Sequence, residues 1–272
     1  MKLSKARIKQ QRLYVGGIAL AVVLAALLAA WFGRAQLRTW YADAMKPTLP
    51  AEQPVTNTST TGSVTPVNNG QTATGTQASS TKPSGFPKEL NLSVPFVLQA
   101  PHQNWVLPYE EACEEATLIM AVNAGKKALT ADQQKAEIDA LVKTEMTLFN
   151  DHIHTNASET AMLAKEHYGV KEARVISIRS ADDIKRELAA GHPVMIPANG
   201  KALKNPNFKN GGPVYHMLLI KGYMADGRWI THDPGTRNGR DYLYGKDLLL
   251  NAIHDWTGEA ADGARVGLVV VP

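Results

Sequence analysis

The chain has 272 residues, 44% of them hydrophobic and 20% charged, with a single Cys and a formal net charge of +4. One Cys excludes an intrachain disulfide framework and a four-Cys zinc site, and the length allows one or two domains with a true core. The positive charge is local: residues 1–46 carry eight Lys or Arg against one Asp, a balance of +7, which leaves the remainder at −3. The main argument for a nucleic-acid partner is thereby removed.

Val15 to Phe32 is an uncharged run of 18 residues rich in Ala, Leu and Val. At about 1.5 Å per residue a helix over it reaches roughly 27 Å, close to the hydrocarbon thickness of a bilayer, so the run predicts one transmembrane helix over 15–32. Residues 1–14 form a basic tail with Lys2, Lys5, Arg7, Lys9 and Arg12, and Arg34, Arg38 and Lys46 follow the run in the 33–50 juxtamembrane segment. That bias predicts a cytoplasmic N-terminus and an extracytoplasmic C-terminal domain. An anchor is preferred over a cleaved secretory signal because the bulky Trp31 and Phe32 stand where a cleavage site needs small residues. Either reading puts the bulk of the chain outside the cytoplasm.

Composition changes abruptly at residues 51–85, where 14 of 35 are Ser or Thr, the only charges are Glu52 and Lys82, and no aromatic occurs. Such a stretch has too little apolar surface to offset the entropy of folding, and is expected to be a disordered linker.

From residue 86 to 272 the pattern is that of one α+β domain, with helices first and strands later. A helix is expected over Tyr109–Ala124, stopping at Gly125. Thr130 and Gln133 form a capping box for a second, running to about Phe149. Asn156 and Glu159 cap a third that ends at Gly169, and Ser180 opens a fourth that ends at Gly191. Strand signals follow at Ala173–Ile178, Val194–Ala198, Val214–Tyr223, Arg228–His232 and Val266–Val271. A helical half packed on an antiparallel sheet is the expected architecture.

The candidate nucleophile is Cys113, early in the first helix within Glu111-Ala-Cys-Glu-Glu-Ala116. A thiol attacks only as thiolate, and a helix N-terminus or an imidazolium lowers its pKa. A lone Cys is more often a small buried apolar residue, so the argument needs partners. His216 opens one strand and Asp233 closes the next. A four-residue loop over Met224–Gly227 pairs Tyr223 with Arg228 and sets Leu218 opposite Asp233. His216 then becomes the diagonal neighbour of Asp233 on the same face, about 7 to 8 Å away between Cα atoms. A two-residue loop would separate them by about 13 Å along the strand.

These residues resemble a known group, the bacteriocin-processing-type cysteine peptidases, a family-39-like branch of the papain-like superfamily. The resemblance runs from Val94-Pro-Phe-Val-Leu-Gln-Ala-Pro101 through the Cys113 segment to Tyr215-His216, Gly222-Tyr223 and Asp233-Pro-Gly235. It implies a papain-like fold in which Cys113 is the nucleophile, His216 the base, Asp233 its orienter and Gln99 the oxyanion donor, with Gln103 a second candidate for that donor. The implied reaction is hydrolysis of a peptide bond through a thioester, on a peptide or protein substrate, with no cofactor and no metal. The sequence departs from relatives that place Gly after the nucleophile, since Glu114 and Glu115 stand there. Residues about 100° apart around a helix are expected to point away from the sulfur. A cell-wall peptide amidase or transpeptidase, and a catalytically silent binding module, are the alternatives on the same fold.

Three further features carry weaker expectations. Asp151-His152-Ile-His154 offers metal-ligand atoms but is expected to be a polar loop. His232 is expected to be structural, on the face opposite Asp233. Asn199–Gly212, a long loop before the His strand, is expected to wall a substrate cleft.

Overall fold

The computed structural model describes residues 47–55 and 85–272. The apolar run over 15–32 and most of the Ser/Thr-rich stretch lie outside the described residues. Among those described, no helix is long and apolar enough to cross a membrane.

Seven strands form one antiparallel sheet: β1 (Leu90–Asn91), β2 (Glu172–Ser177), β3 (Val194–Ala198), β4 (His216–Tyr223), β5 (Trp229–His232), β6 (Tyr242–Tyr244) and β7 (Val266–Val271). Their order is β2-β7-β3-β4-β5-β6, and β1 also pairs with β4. β3 lies along Ile220 to His216, and β1 takes up Gly222 and Tyr223 further along β4. Every residue of β3, β4 and β5 is buried. β3 and residues 217–220 of β4 accordingly read as continuous apolar runs.

Five helices accompany the sheet: α1 (Cys113–Val122), α2 (Ala131–Phe149), α3 (Ala157–Tyr168), α4 (Ala181–Ala189) and α5 (Lys246–Ala252). The capping boxes at Thr130/Gln133 and Asn156/Glu159 are formed, and Gly169 closes α3 with φ 62°. All ten residues of α1 are buried, and the helix packs on β4, where the Thr117 hydroxyl donates to the Met217 carbonyl at 3.1 Å. The thiol-bearing helix is thus held directly against the His-bearing strand.

Two boundaries differ from expectation. α1 begins at Cys113 and not at Tyr109, because the Gln99 side-chain amide takes the carbonyls of Tyr109 and Glu110 at 3.2 and 3.0 Å. Those carbonyls would otherwise accept from the first helical turn. Residues 51–55, read from composition as the start of a disordered linker, are ordered. Gln53 bridges Leu92 in parallel fashion, its N–H donating to the Asn91 carbonyl at 2.7 Å and its carbonyl accepting from Ser93 at 2.8 Å. Residues 50–55 therefore belong to the compact unit Pro50–Pro272. Backbone pairing, which composition does not register, decides that boundary.

Candidate active site

The β4–β5 hairpin positions His216 at the start of β4 and Asp233 just after β5. Its turn is one residue longer than expected, since Tyr223 pairs with Trp229 and the Met224 N–H donates to the Arg228 carbonyl at 2.8 Å. A register shift between Ile220 and Gly222 absorbs the extra residue and restores Leu219 opposite His232. Continuing that register by one residue sets Leu218 across from Asp233 and brings His216 onto the same face as Asp233. The result is a buried hydrogen bond of 2.8 Å between His216 Nε2 and Asp233 Oδ1.

Asp233 is fully buried, and each of its oxygens accepts twice. Oδ1 receives His216 and the Gly235 N–H at 3.1 Å; Oδ2 receives the Asn205 amide at 3.0 Å and the Tyr244 hydroxyl at 2.6 Å. Burial alone would raise its pKa, but the charge and hydrogen bond of His216, with Tyr244 and Gly235, outweigh burial and hold it below the usual carboxylate value. Asn205 also donates to the Tyr244 oxygen at 2.8 Å, so the hydroxyl proton is directed at Asp233. Asn205 and Tyr244 belong to no motif that the sequence shows. Their signal is faint, because Asn205 lies within the long 199–212 loop, Tyr244 lies on a three-residue strand, and both act only on the far oxygen of Asp233.

The His216 ring is fixed on its other sides as well. Phe208 packs edge-on against it with centroids 5.2 Å apart. A Cβ on Gly235 would lie 2.8 Å from His216 Cε1, which is why the residue after Asp233-Pro234 has no side chain. With Nε2 committed to Asp233, Nδ1 is the ring nitrogen left for proton exchange.

Cys113 and His216 line one cleft of about 630 Å3, together with Gln99, Trp105, Phe208 and Arg237. Asn207, Phe208 and Lys209 of the long loop form part of its wall. The cleft divides the α1 side from the sheet side, so the helix supplies the thiol and the sheet supplies the His–Asp pair. Gln99 is on the cleft but does not hold an uncommitted donor there, since its Nε2 serves the loop leading into Cys113. This corrects the expectation of a free oxyanion donor. The Cys113 N–H stands in the first turn of α1, among the N–H groups that lack an intrahelical partner. Gln103 is exposed on the same wall with φ 59°.

The environment of the sulfur also differs from expectation. Glu114 turns toward it, and the Cys113 thiol donates to Glu114 Oε2 at 2.9 Å. One residue's rotation separates the Cβ directions, but a Glu side chain is long enough to come back across that angle. Burial pushes the thiol pKa well up, the Glu114 charge and hydrogen bond add to the shift, and the Met217 backbone amide works against it. Glu114 itself is raised well above its usual value by burial and by Glu115.

Other candidates resolve into structural parts. His232 is buried, and the Asp241 N–H donates to its Nδ1 at 3.1 Å, so Nε2 carries the proton donated to the Val94 carbonyl at 2.9 Å. Burial, followed by the charge of Lys221, lowers its pKa to about 4. His154 packs edge-on against Trp256 and Tyr215, with centroids 4.6 and 5.6 Å away. Among the described residues no group of three or more His, Cys, Asp or Glu is arranged to hold a metal ion.

A thiol at the start of a buried helix, lining one cleft together with a His–Asp pair on an antiparallel sheet, is the layout of the papain-like cysteine peptidase class. Residues 91–256 match the Peptidase_C39 like family, and the chain belongs to that family. Among solved structures, the chain is similar to a C39-like peptidase from Bacillus anthracis, at 18% identity and a TM-score of 0.39, covering 68% of this chain and 98% of that one. It is also similar to a fragment of Prevotella intermedia prointerpain A, at 15% identity and a TM-score of 0.30, covering 66% of this chain and 55% of that one. No curated protein matches the chain.

Proposed function

We propose that this chain is a membrane-tethered, extracytoplasmic cysteine peptidase that hydrolyses peptide bonds through Cys113, His216 and Asp233. The observation that carries the reading is the buried His216–Asp233 hydrogen bond on the strand against which the Cys113 helix packs. His216 Nδ1 takes the thiol proton, and the thiolate attacks the carbonyl carbon of the scissile amide. The Cys113 N–H supports the oxyanion, assisted by the side-chain amide of Gln103, which is exposed on the same cleft wall. His216 returns the proton to the leaving amine, and a thioester to Cys113 remains. Water, deprotonated by the same nitrogen, then releases the acid and restores the thiol. Asp233 keeps the imidazole tautomer and supports its charged form.

The membrane part of the proposal rests on the uncharged run over 15–32 and the basic residues before it. A catalytically silent binding module is the second reading, favoured by the thiol's burial against Glu114. Incubating the full chain with a peptide library and with purified cell wall, beside Cys113→Ala, tests these readings. Cys113-dependent cleavage of peptides supports the peptidase. Cleavage of cell wall alone moves the assignment to an amidase, and equal products from both proteins would remove the enzyme.

A further inference from the structure

Lys221 is a fully buried cation in the middle of β4 and occupies the register shift between Ile220 and Gly222. Its ammonium donates to Asp241 Oδ1 at 2.9 Å and to Glu52 Oε1 at 2.6 Å. Asp241 belongs to the domain, just before β6. Glu52 comes from residues 50–55, separated from the domain in sequence by 56–84 and lying outside the family match over 91–256.

The segment carrying Glu52 is fixed by more than the ion pair. The Gln53 backbone pairs with Asn91 and Ser93, the Asn91 amide donates to the Pro50 carbonyl at 2.9 Å, and the Ser93 hydroxyl donates to Glu52 Oε2 at 3.0 Å. Leu92 in turn donates to the Lys221 carbonyl at 2.8 Å, so the strap and the bulged residue share one backbone neighbour. Partial burial works against ionisation of Glu52, but the hydrogen bond and charge of Lys221 overcome it and lower the carboxyl's pKa.

The Lys221 contact bears on the register of β4 against β5. Near the turn Tyr223 faces Trp229 and Gly222 faces Ile230. Without the shift at Lys221, that pairing would carry on to Leu219 opposite Asp233. A one-residue slip turns a strand's side chains to the other face, and His216 would then stand on the face away from Asp233. The bulge is a requirement for the His–Asp pair, and its side chain is a buried charge that needs anions. We infer that residues 50–55 are a docked strap whose Glu52 holds the β4 bulge in register, so that the chain before the domain is part of the scaffold that pairs His216 with Asp233. Glu52 is a positioning residue, acting through Lys221.

This inference concerns the pairing and is independent of peptidase activity, so its test needs no substrate. In the full chain, Glu52→Gln should lower the melting temperature by roughly 5 °C or more. It should also weaken or abolish the downfield ring N–H signal of His216 in its hydrogen bond with Asp233. Glu52→Asp should keep most of that signal. Adding Lys221→Met to Glu52→Gln should recover both readouts, because an apolar side chain in the bulge needs no anion. This double variant also remains informative if Glu52→Gln alone does not fold. An unchanged melting temperature in Glu52→Gln would overturn the strap, and a lower melting temperature with an unchanged His216 signal would overturn its positioning role.

Discussion

The Cys113 thiol donates its proton to the carboxyl of the residue that follows it, Glu114, at 2.9 Å within a buried site. This pair sets the main electrostatic problem of the cleft. A thiolate forms beside a carboxylate only at high cost, and the pKa values of both groups are raised. Ionisation of either group opposes ionisation of the other.

Glu114→Gln should therefore make Cys113 more reactive. The amide keeps a polar group at the sulfur and removes the competing anion, so the thiol pKa should fall and the thiolate fraction at a fixed pH below it should rise. Alkylation rates with iodoacetamide across pH 6 to 10 read this directly. A slower rate in the Gln variant would mean that Glu114 assists the thiolate as a neutral acid donating to it.

Much of this site was legible in the sequence. The capping boxes at Thr130 and Asn156 needed only local chemistry, and the His216–Asp233 relationship followed from strand periodicity and a turn length. The turn was in fact one residue longer, and the register survived because Lys221 bulges, a tertiary event with no local signature. Gln99 was found as a cleft residue, but the carbonyls it holds depend on where the 100–108 loop returns. Tyr244 and Asn205 lay hidden because a hydroxyl aimed at a buried carboxylate looks like any loop residue until the fold is closed.

Tyr244→Phe should lower kcat by about tenfold while leaving the fold in place, since Asp233 Oδ2 keeps the Asn205 amide. The hydroxyl is among the groups that lower the Asp233 pKa, so its removal raises that pKa. A carboxyl with a depressed pKa contributes stability that is present above its unfolded value near 3.9 and lost as pH falls through its folded value. The acid unfolding midpoint of Tyr244→Phe should accordingly move to higher pH. An unchanged acid limb would remove Tyr244 from the support of Asp233.

Gly235→Ala tests how tightly the imidazole is held. The new methyl would meet His216 Cε1 at 2.8 Å and Phe208 Cε1 at 3.1 Å, and the ring has little room to retreat with Nε2 bonded to Asp233. A displacement near 1 Å at a reacting group costs on the order of a hundredfold in rate. The expected loss is in kcat, with KM little changed because Gly235 touches the catalytic ring. A loss confined to KM would instead mark Gly235 as a substrate contact.

The last prediction concerns stability and follows from a second carboxyl pair beneath the site. Glu115, on α1, is hydrogen-bonded to Glu145 on α2. Burial, offset in part by that bond, raises Glu115 to about 7, and burial with the charge of Glu115 pushes Glu145 up to about 12. In the unfolded chain both return to about 4.3. The folded state therefore binds more protons than the unfolded one above that value, and stability must fall as pH rises. The stabilisation is complete below about pH 4 and, for Glu115, is lost as pH rises through about 7. Urea unfolding at a series of pH values should show the described domain most stable in mild acid and weaker at pH 8. Glu115→Gln leaves Glu145 a neutral partner and should flatten the slope between pH 5 and 8. A stability that climbs toward pH 8 in the wild-type chain would contradict the buried pair, because two ionised carboxylates there would have to be solvated or separated.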